Sequence, residues 1–102
     1  MANHQMGGYA YRTFTEPLPR VRKANLLAFK RMAIRPDKTE KTELGERIIA
    51  RAGDREIEVE LESLTPNLTR LRAVVRRDGA IIMDSSTAVE IITQTEKALG
   101  SS

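Results

Sequence analysis

Cysteine is absent from this chain, which removes thiol nucleophiles, disulfides and thiolate metal sites together and leaves the redox compartment open. Histidine occurs once, as His4 in the polar opening MANHQM. In a leader that reads as disordered over 1–7, one imidazole is incidental rather than a ligand. Tryptophan is missing and aromatic residues make up 4% of the chain, few for stacking bases. No apolar run approaches the roughly 20 residues of a membrane-spanning helix, and no glycine-rich phosphate loop, Walker pattern or metal-binding helix motif is present. Hydrolytic or acid–base chemistry needs a nucleophile, a base and an orienting group converging on a pocket. Ser85, Ser86 and Thr87 have no histidine nearby and suit helix capping, while Glu40 and Glu43 sit in a lysine-rich turn that reads as solvated. The residues point away from an enzyme and supply no catalytic group, cofactor site or metal ligand.

What is present is an ordinary globular composition, 40% hydrophobic and 30% charged in 102 residues. That is enough for one modest core and so for a single domain, over 8–100, with 101–102 as a tail. The formal charge of +3 permits an anionic partner without requiring one. No secretory signal opens the chain, which fits either a cytosolic protein or a mature segment separated from its targeting region.

Side-chain periodicity predicts the elements. GGYAYRTFTE alternates Tyr9, Tyr11 and Thr13 with Ala10, Arg12 and Phe14, the pattern of a strand. A helix is expected over about Pro19 to Met32, with prolines at its mouth. Its apolar side carries Val21, Asn25, Ala28, Phe29 and Met32; Arg22 falls awkwardly beside them. IRPDKTEKTE reads as extended and polar, with Pro36 favouring a sheet edge or a bulge. Two further strands join at Ala52, Gly53 and Asp54, and a third returns past Pro66 and Asn67. After the turn dipeptide Asp78-Gly79, Ala80 to Met83 reads as an apolar loop or a short returning strand. A terminal helix is expected over about Ala88 to Leu99, capped by Thr87 with Glu90 and closed by Gly100. The order β-α-β-β-β-β-α predicts a two-layer α+β domain: a mostly antiparallel sheet of four to five strands with both helices on one face.

The stretch EIEVELESLTPNLTRLRAVVRR places glutamates at every second position and returns with arginines at every second position. Because strand side chains alternate in direction, Ile57, Val59 and Leu61 must share a face with Leu71, Ala73 and Val75. Glu56, Glu58, Glu60 and Glu62 then share the other with Arg70, Arg72, Arg76 and Val74. Keeping apolar faces together requires even-numbered residues to pair with even ones, hence an odd number of residues around the turn; a slip of one would put arginines in the core. Glu60 and Glu62 are expected opposite Arg72 and Arg70. Alternate carboxylates on a strand are roughly 7 Å apart, too far to converge on a cation without loop ligands, so the charges read as register-setting scaffold.

Two surfaces could meet partners. The wet side of the first helix carries Arg20, Lys23, Lys30, Arg31 and Arg35 with Leu27 among them, a basic stripe suited to an anionic membrane surface, an unidentified protein or, alternatively, a nucleic acid. On the far side of the sheet, Val74, Ile81 and Met83 could form an apolar patch covered by a homodimer partner or by the domain's own loop.

Gly8, Tyr9, Ala10 and Tyr11, then Val21, Ala24, Phe29, Met32 and Ile34, then Gly45 with Ile48 and Ala50 resemble the pattern of a family of small, uncharacterised bacterial cell-envelope lipoproteins, over most of residues 7 to 99. Arg22 stands where that family prefers an aromatic, the glycine usual before the last helix has no counterpart at Met83, and the lipid-carrying cysteine is missing. The resemblance implies a mature domain on the periplasmic side of the envelope, with a similar fold and no catalytic residues. A non-enzymatic envelope binding or structural domain is the expectation; a cytosolic nucleic-acid or anionic-ligand module is the alternative.

Overall fold

The structure, a computed structural model, describes residues 4–6 as backbone, 9–77 and 83–100. Six strands, β1 (His4–Met6), β2 (Tyr9–Phe14), β3 (Arg35–Lys41), β4 (Gly45–Ala52), β5 (Arg55–Thr65) and β6 (Leu68–Arg77), form one antiparallel sheet in the order β1-β2-β6-β5-β4-β3. Helices α1 (Leu18–Arg31) and α2 (Ser85–Gly100) bury their apolar residues with the inner sheet face in one core. This is the two-layer α+β fold that the periodicity predicts. No helix among the described residues is long and apolar enough to cross a membrane.

Strand pairing follows from the need to keep one face dry. Glu62 lies opposite Arg70, Glu60 opposite Arg72 and Ile57 opposite Val75, the even-to-even register required above. The turn itself, Pro66 and Asn67, holds two residues and pairs Thr65 with Leu68, which alone would flip every side chain. A bulge between Ser63 and Thr65 supplies the missing residue, exposed Leu64, and restores the apolar face. As a result Ile57, Val59, Leu61, Leu71, Ala73 and Val75 are each at most 2% exposed. A fully buried aliphatic side chain of this size stabilises by about 1.5–3 kcal/mol, so the inner face and not the charged one dominates folding.

The ends of the elements show how local chemistry positions the layers. Pro19 sits in the first turn of α1, where it forfeits no helical bond. At the other end Ile34 N–H donates to Phe29 C=O (2.8 Å) and Ala33 N–H to Lys30 C=O (3.3 Å), a Schellman closure in which Phe29 and Ile34 are both buried. Ala33 occupies its left-handed position at φ 56°, where glycine is usual. Pro36 lies on the edge strand β3 beside a bulge, as its missing N–H suggests. Between the helices, Asn25 donates to Thr95 Oγ1 (3.3 Å), and buried Thr69 ties β6 to the start of α1 by donating to Glu16 C=O (2.8 Å).

Three expectations are corrected. The leader over 1–7 contains a strand at His4–Met6, paired along the outer edge of β2, whose otherwise unbonded N–H and C=O groups a short polar segment can satisfy. Thr87 does not cap α2: the helix starts at Ser85 and Asp84 caps it, accepting from Thr87 N–H (3.0 Å) and Thr87 Oγ1 (2.7 Å), because a carboxylate suits the positive helix end better than a hydroxyl. Gly100 is the last helical residue rather than the one beyond. The assignment of Ala80 to Met83 lies mostly outside the described residues; Met83 itself bridges Arg76.

Gly45 offers a direct check on strand packing. A Cβ there would stand 2.0 Å from the carbonyl oxygen of Leu61, which cannot retreat without breaking the β4–β5 ladder. Gly45→Ala should lower stability in urea unfolding by about 1–3 kcal/mol, whereas Ala33→Gly should raise it by about 0.5–1 kcal/mol by relieving the left-handed strain. A neutral Gly45→Ala would show that the two backbones do not approach as described.

Candidate anionic-partner surface

Charge is distributed over three distinct settings. On the outer sheet face, Arg47 of β4 reaches Glu40 (3.6 Å), Glu58 (3.5 Å) and Glu60 (3.4 Å). Glu60 also holds Arg72 (3.0 Å), whose guanidinium lies 5.3 Å from the Tyr9 ring centroid. Arg70 grips Glu62 (2.7 Å) and Lys38 meets Glu40 (3.4 Å). The ladder is therefore neutralised by a network running from Lys38 on β3 to Arg72 on β6 with the separate pair Arg70–Glu62 beside it, each of its carboxylates facing a cation. Among the described residues no group of three or more His, Asp or Glu is arranged to hold a metal ion.

The second setting is the perimeter of the core. Arg12 of β2 pairs with Glu96 of α2 (2.5 Å), Arg22 of α1 with Glu46 of β4, and Arg55 of β5 with Asp84 at the head of α2 (2.6 Å). Each pair bridges a helix to the sheet. This accounts for Arg22 on the apolar side of its helix: it reaches past the core to Glu46 on the inner face.

The third setting is the wet side of α1, where the candidate residues divide. Arg20, Lys23, Leu27 and Arg31 line a groove of about 340 Å³ against Ala98 and Leu99 of α2. Lys30 and Arg35 lie instead on the flank toward β3, beside Leu26 and Pro36, because α1 ends at Arg31 and Arg35 opens the next strand. Leu27 is 40% exposed. Arg20 is held by Glu16 (3.1 Å), but Lys23, Lys30, Arg31 and Arg35 have no ion-pair partner among the described residues. Lys41, Arg76 and Arg77, on strands, likewise have no ion-pair partner among the described residues. The two α2 residues that complete the groove escape a reading of α1 alone; Leu99 is visible only as an apolar position of the last helix.

Of the remaining expected features, Ser85 and Ser86 open α2. Glu40 joins the sheet network and Glu43 lies in an exposed turn. In the patch expected on the far sheet face, Val74 is 9% exposed and Met83 is half-buried, while Ile81 lies outside the described residues. No known protein family matches the chain, and no characterised relative is found.

Asp84, at the head of α2, is a carboxyl displaced from its ordinary titration range. The hydrogen bond from Arg55, then that from Thr87 Oγ1, holds it below its ordinary value, at about 2. Its contribution to stability is fully present above the unfolded carboxyl's pKa and is lost as pH falls through the folded one. Asp84→Asn keeps a capping oxygen but no charge. Its deficit in thermal stability relative to the parent should hold steady above about pH 5 and shrink between about pH 4 and pH 2. A deficit independent of pH across that window would show that the Arg55–Asp84 pair is not what holds α2 down.

Proposed function

We propose that this domain is a non-enzymatic binding module of the bacterial cell envelope that lays the outer side of α1 on an anionic membrane surface. The observation that carries the reading is the contrast in pairing. Guanidinium groups at the heart of the sheet and around the core are matched to carboxylates, while Lys23, Arg31, Lys30 and Arg35 on the α1 side have no ion-pair partner among the described residues. Exposed cations that frame a groove containing Leu27 and Leu99 have the composition of an interfacial helix: apolar side chains enter the acyl boundary while cations meet lipid phosphates. The envelope setting is supported by the resemblance at Gly8 to Tyr11, along the first helix and at Gly45 to Ala50.

Flotation with vesicles of anionic phospholipid, with purely zwitterionic vesicles as reference, tests this. The parent should float with the anionic vesicles only. Lys23→Gln with Arg31→Gln should weaken that binding about thirtyfold, at roughly 1 kcal/mol for each basic residue near the surface. Undiminished flotation of the double variant would remove the α1 side as the contact. Tighter, steeply salt-dependent binding to DNA or RNA would replace the membrane with a nucleic acid as its partner.

A further inference from the structure

Strand β3 is the last in the sheet, so one of its edges bonds to β4 and the other to nothing among the described residues. Thr42 N–H donates to Gly45 C=O (3.0 Å) at the hairpin's end. Since antiparallel pairs alternate, Lys38 and Glu40 bond toward β4, and the N–H and C=O groups of Thr39 and Lys41 face the free edge. A bare edge invites pairing with another chain, and charge or proline is the usual defence. Both are here, but the charges are ordered.

From Arg35 to Glu43 the sequence RPDKTEKTE runs positive, neutral, negative three times over. Read backwards, every charge becomes its opposite. Laid antiparallel against a second copy about Thr39, it sets Lys38 opposite Glu40, Asp37 opposite Lys41 and Arg35 opposite Glu43. A slip of one residue brings Asp37 onto Glu40 or Lys38 onto Lys41, and a slip of two sets Lys38 or Glu40 against itself. A slip of three restores opposite charges but shortens the pairing. Like charges directly opposite oppose a sheet pairing, so the order selects one register.

Lys38 and Glu40 share the outer face, opposite Ile49 and Arg47, and so stand side by side across such a joint. The bulge between Pro36 and Lys38 interrupts the alternation at Asp37 and Arg35, so the match rests on Lys38 with Glu40 on each side of Thr39. On the helix side of the edge, Leu26, Ala33, Ile34 and Pro36 line a shallow hollow, with Leu26 38% exposed.

We propose that the chain forms a homodimer by antiparallel pairing of β3 with β3 about a two-fold axis at Thr39, continuing one sheet through both copies by strand addition. The partner is the chain's own edge, and the proposal does not depend on the membrane reading.

Sedimentation over a range of concentrations reads the dimer. Lys38→Glu alone sets glutamate against Glu40 on both sides of the axis, and should raise the dissociation constant roughly tenfold or more. Glu40→Lys alone, which sets lysine against Lys38, should do the same. An equimolar mixture of the two variants should form a heterodimer, because all of its opposed pairs are again complementary. A cysteine test gives an answer independent of charge, since the chain has no other cysteine. Thr39→Cys should oxidise to a covalent dimer, the paired Cα atoms being about 5.5 Å apart, within disulfide range. Lys41→Cys should not, its thiols standing about 13 Å apart along the strands. A parent that stays monomeric at every concentration, a mixture no more associated than its components, or cross-linking at Lys41→Cys as fast as at Thr39→Cys would overturn the proposal.

Discussion

The structure depends on a single geometric constraint: β5 and β6 must pair so that their odd-numbered residues share a face. The inward residues of these two strands, from Ile57 to Leu61 and from Leu71 to Val75, are aliphatic, and the outward face of the sheet is charged or solvated, with Val74 and Ile49 as the main apolar exceptions. The constraint is strict enough to dictate a defect. A two-residue turn at Pro66 and Asn67 gives the wrong parity, and the bulged Leu64 corrects it. With that face fixed, β4 and β2 add their own alternation to it, and the sheet becomes a floor on which α1 and α2 close the core.

Charged residues then do different work according to where they fall. Across the outer face they hold neighbouring strands in step, each pair stabilising by roughly 0.2–1 kcal/mol, small beside the burial of one leucine. At the rim of the core, Arg12–Glu96, Arg22–Glu46 and Arg55–Asp84 fasten each helix to the sheet and fix its azimuth as well as its distance. What is left unmatched among the described residues lies on the α1 side, along β3 and at the end of β6, and the first two places carry the functional proposals. A domain that neutralises its charge so thoroughly across the centre of the sheet leaves its remaining cations conspicuous.

Much of this is legible in the sequence because period two and period 3.6 are local signals. The register of Glu60 with Arg72, the alternation of the first strand, a sheet edge or a bulge at Pro36, and the limits of α1 to within a residue all follow from neighbours along the chain. Contacts between distant residues do not. Nothing local says that Arg22 will meet Glu46 or that Arg12 will meet Glu96, so Arg22 looks misplaced until the layers are assembled. Asp84 was within reach, lying three residues before Thr87 with the spacing of a cap, but the serine and threonine cluster draws attention away from it. The candidate stripe on α1 divides between two places in the structure. Helical projection cannot know that the chain leaves the helix after Arg31, which separates Arg35 from the groove, or that α2 supplies the opposite wall at Ala98 and Leu99.

The most direct test weighs the inner face against the outer one in a single unfolding experiment. Leu61→Ala should lower the unfolding free energy by about 2–5 kcal/mol, while a double-mutant cycle on Glu60 and Arg72 should return a coupling below about 1 kcal/mol. A coupling between that acid and that base larger than the loss at Leu61 would contradict the account, and would mean that the charged ladder, not the aliphatic floor beneath the helices, holds this fold together.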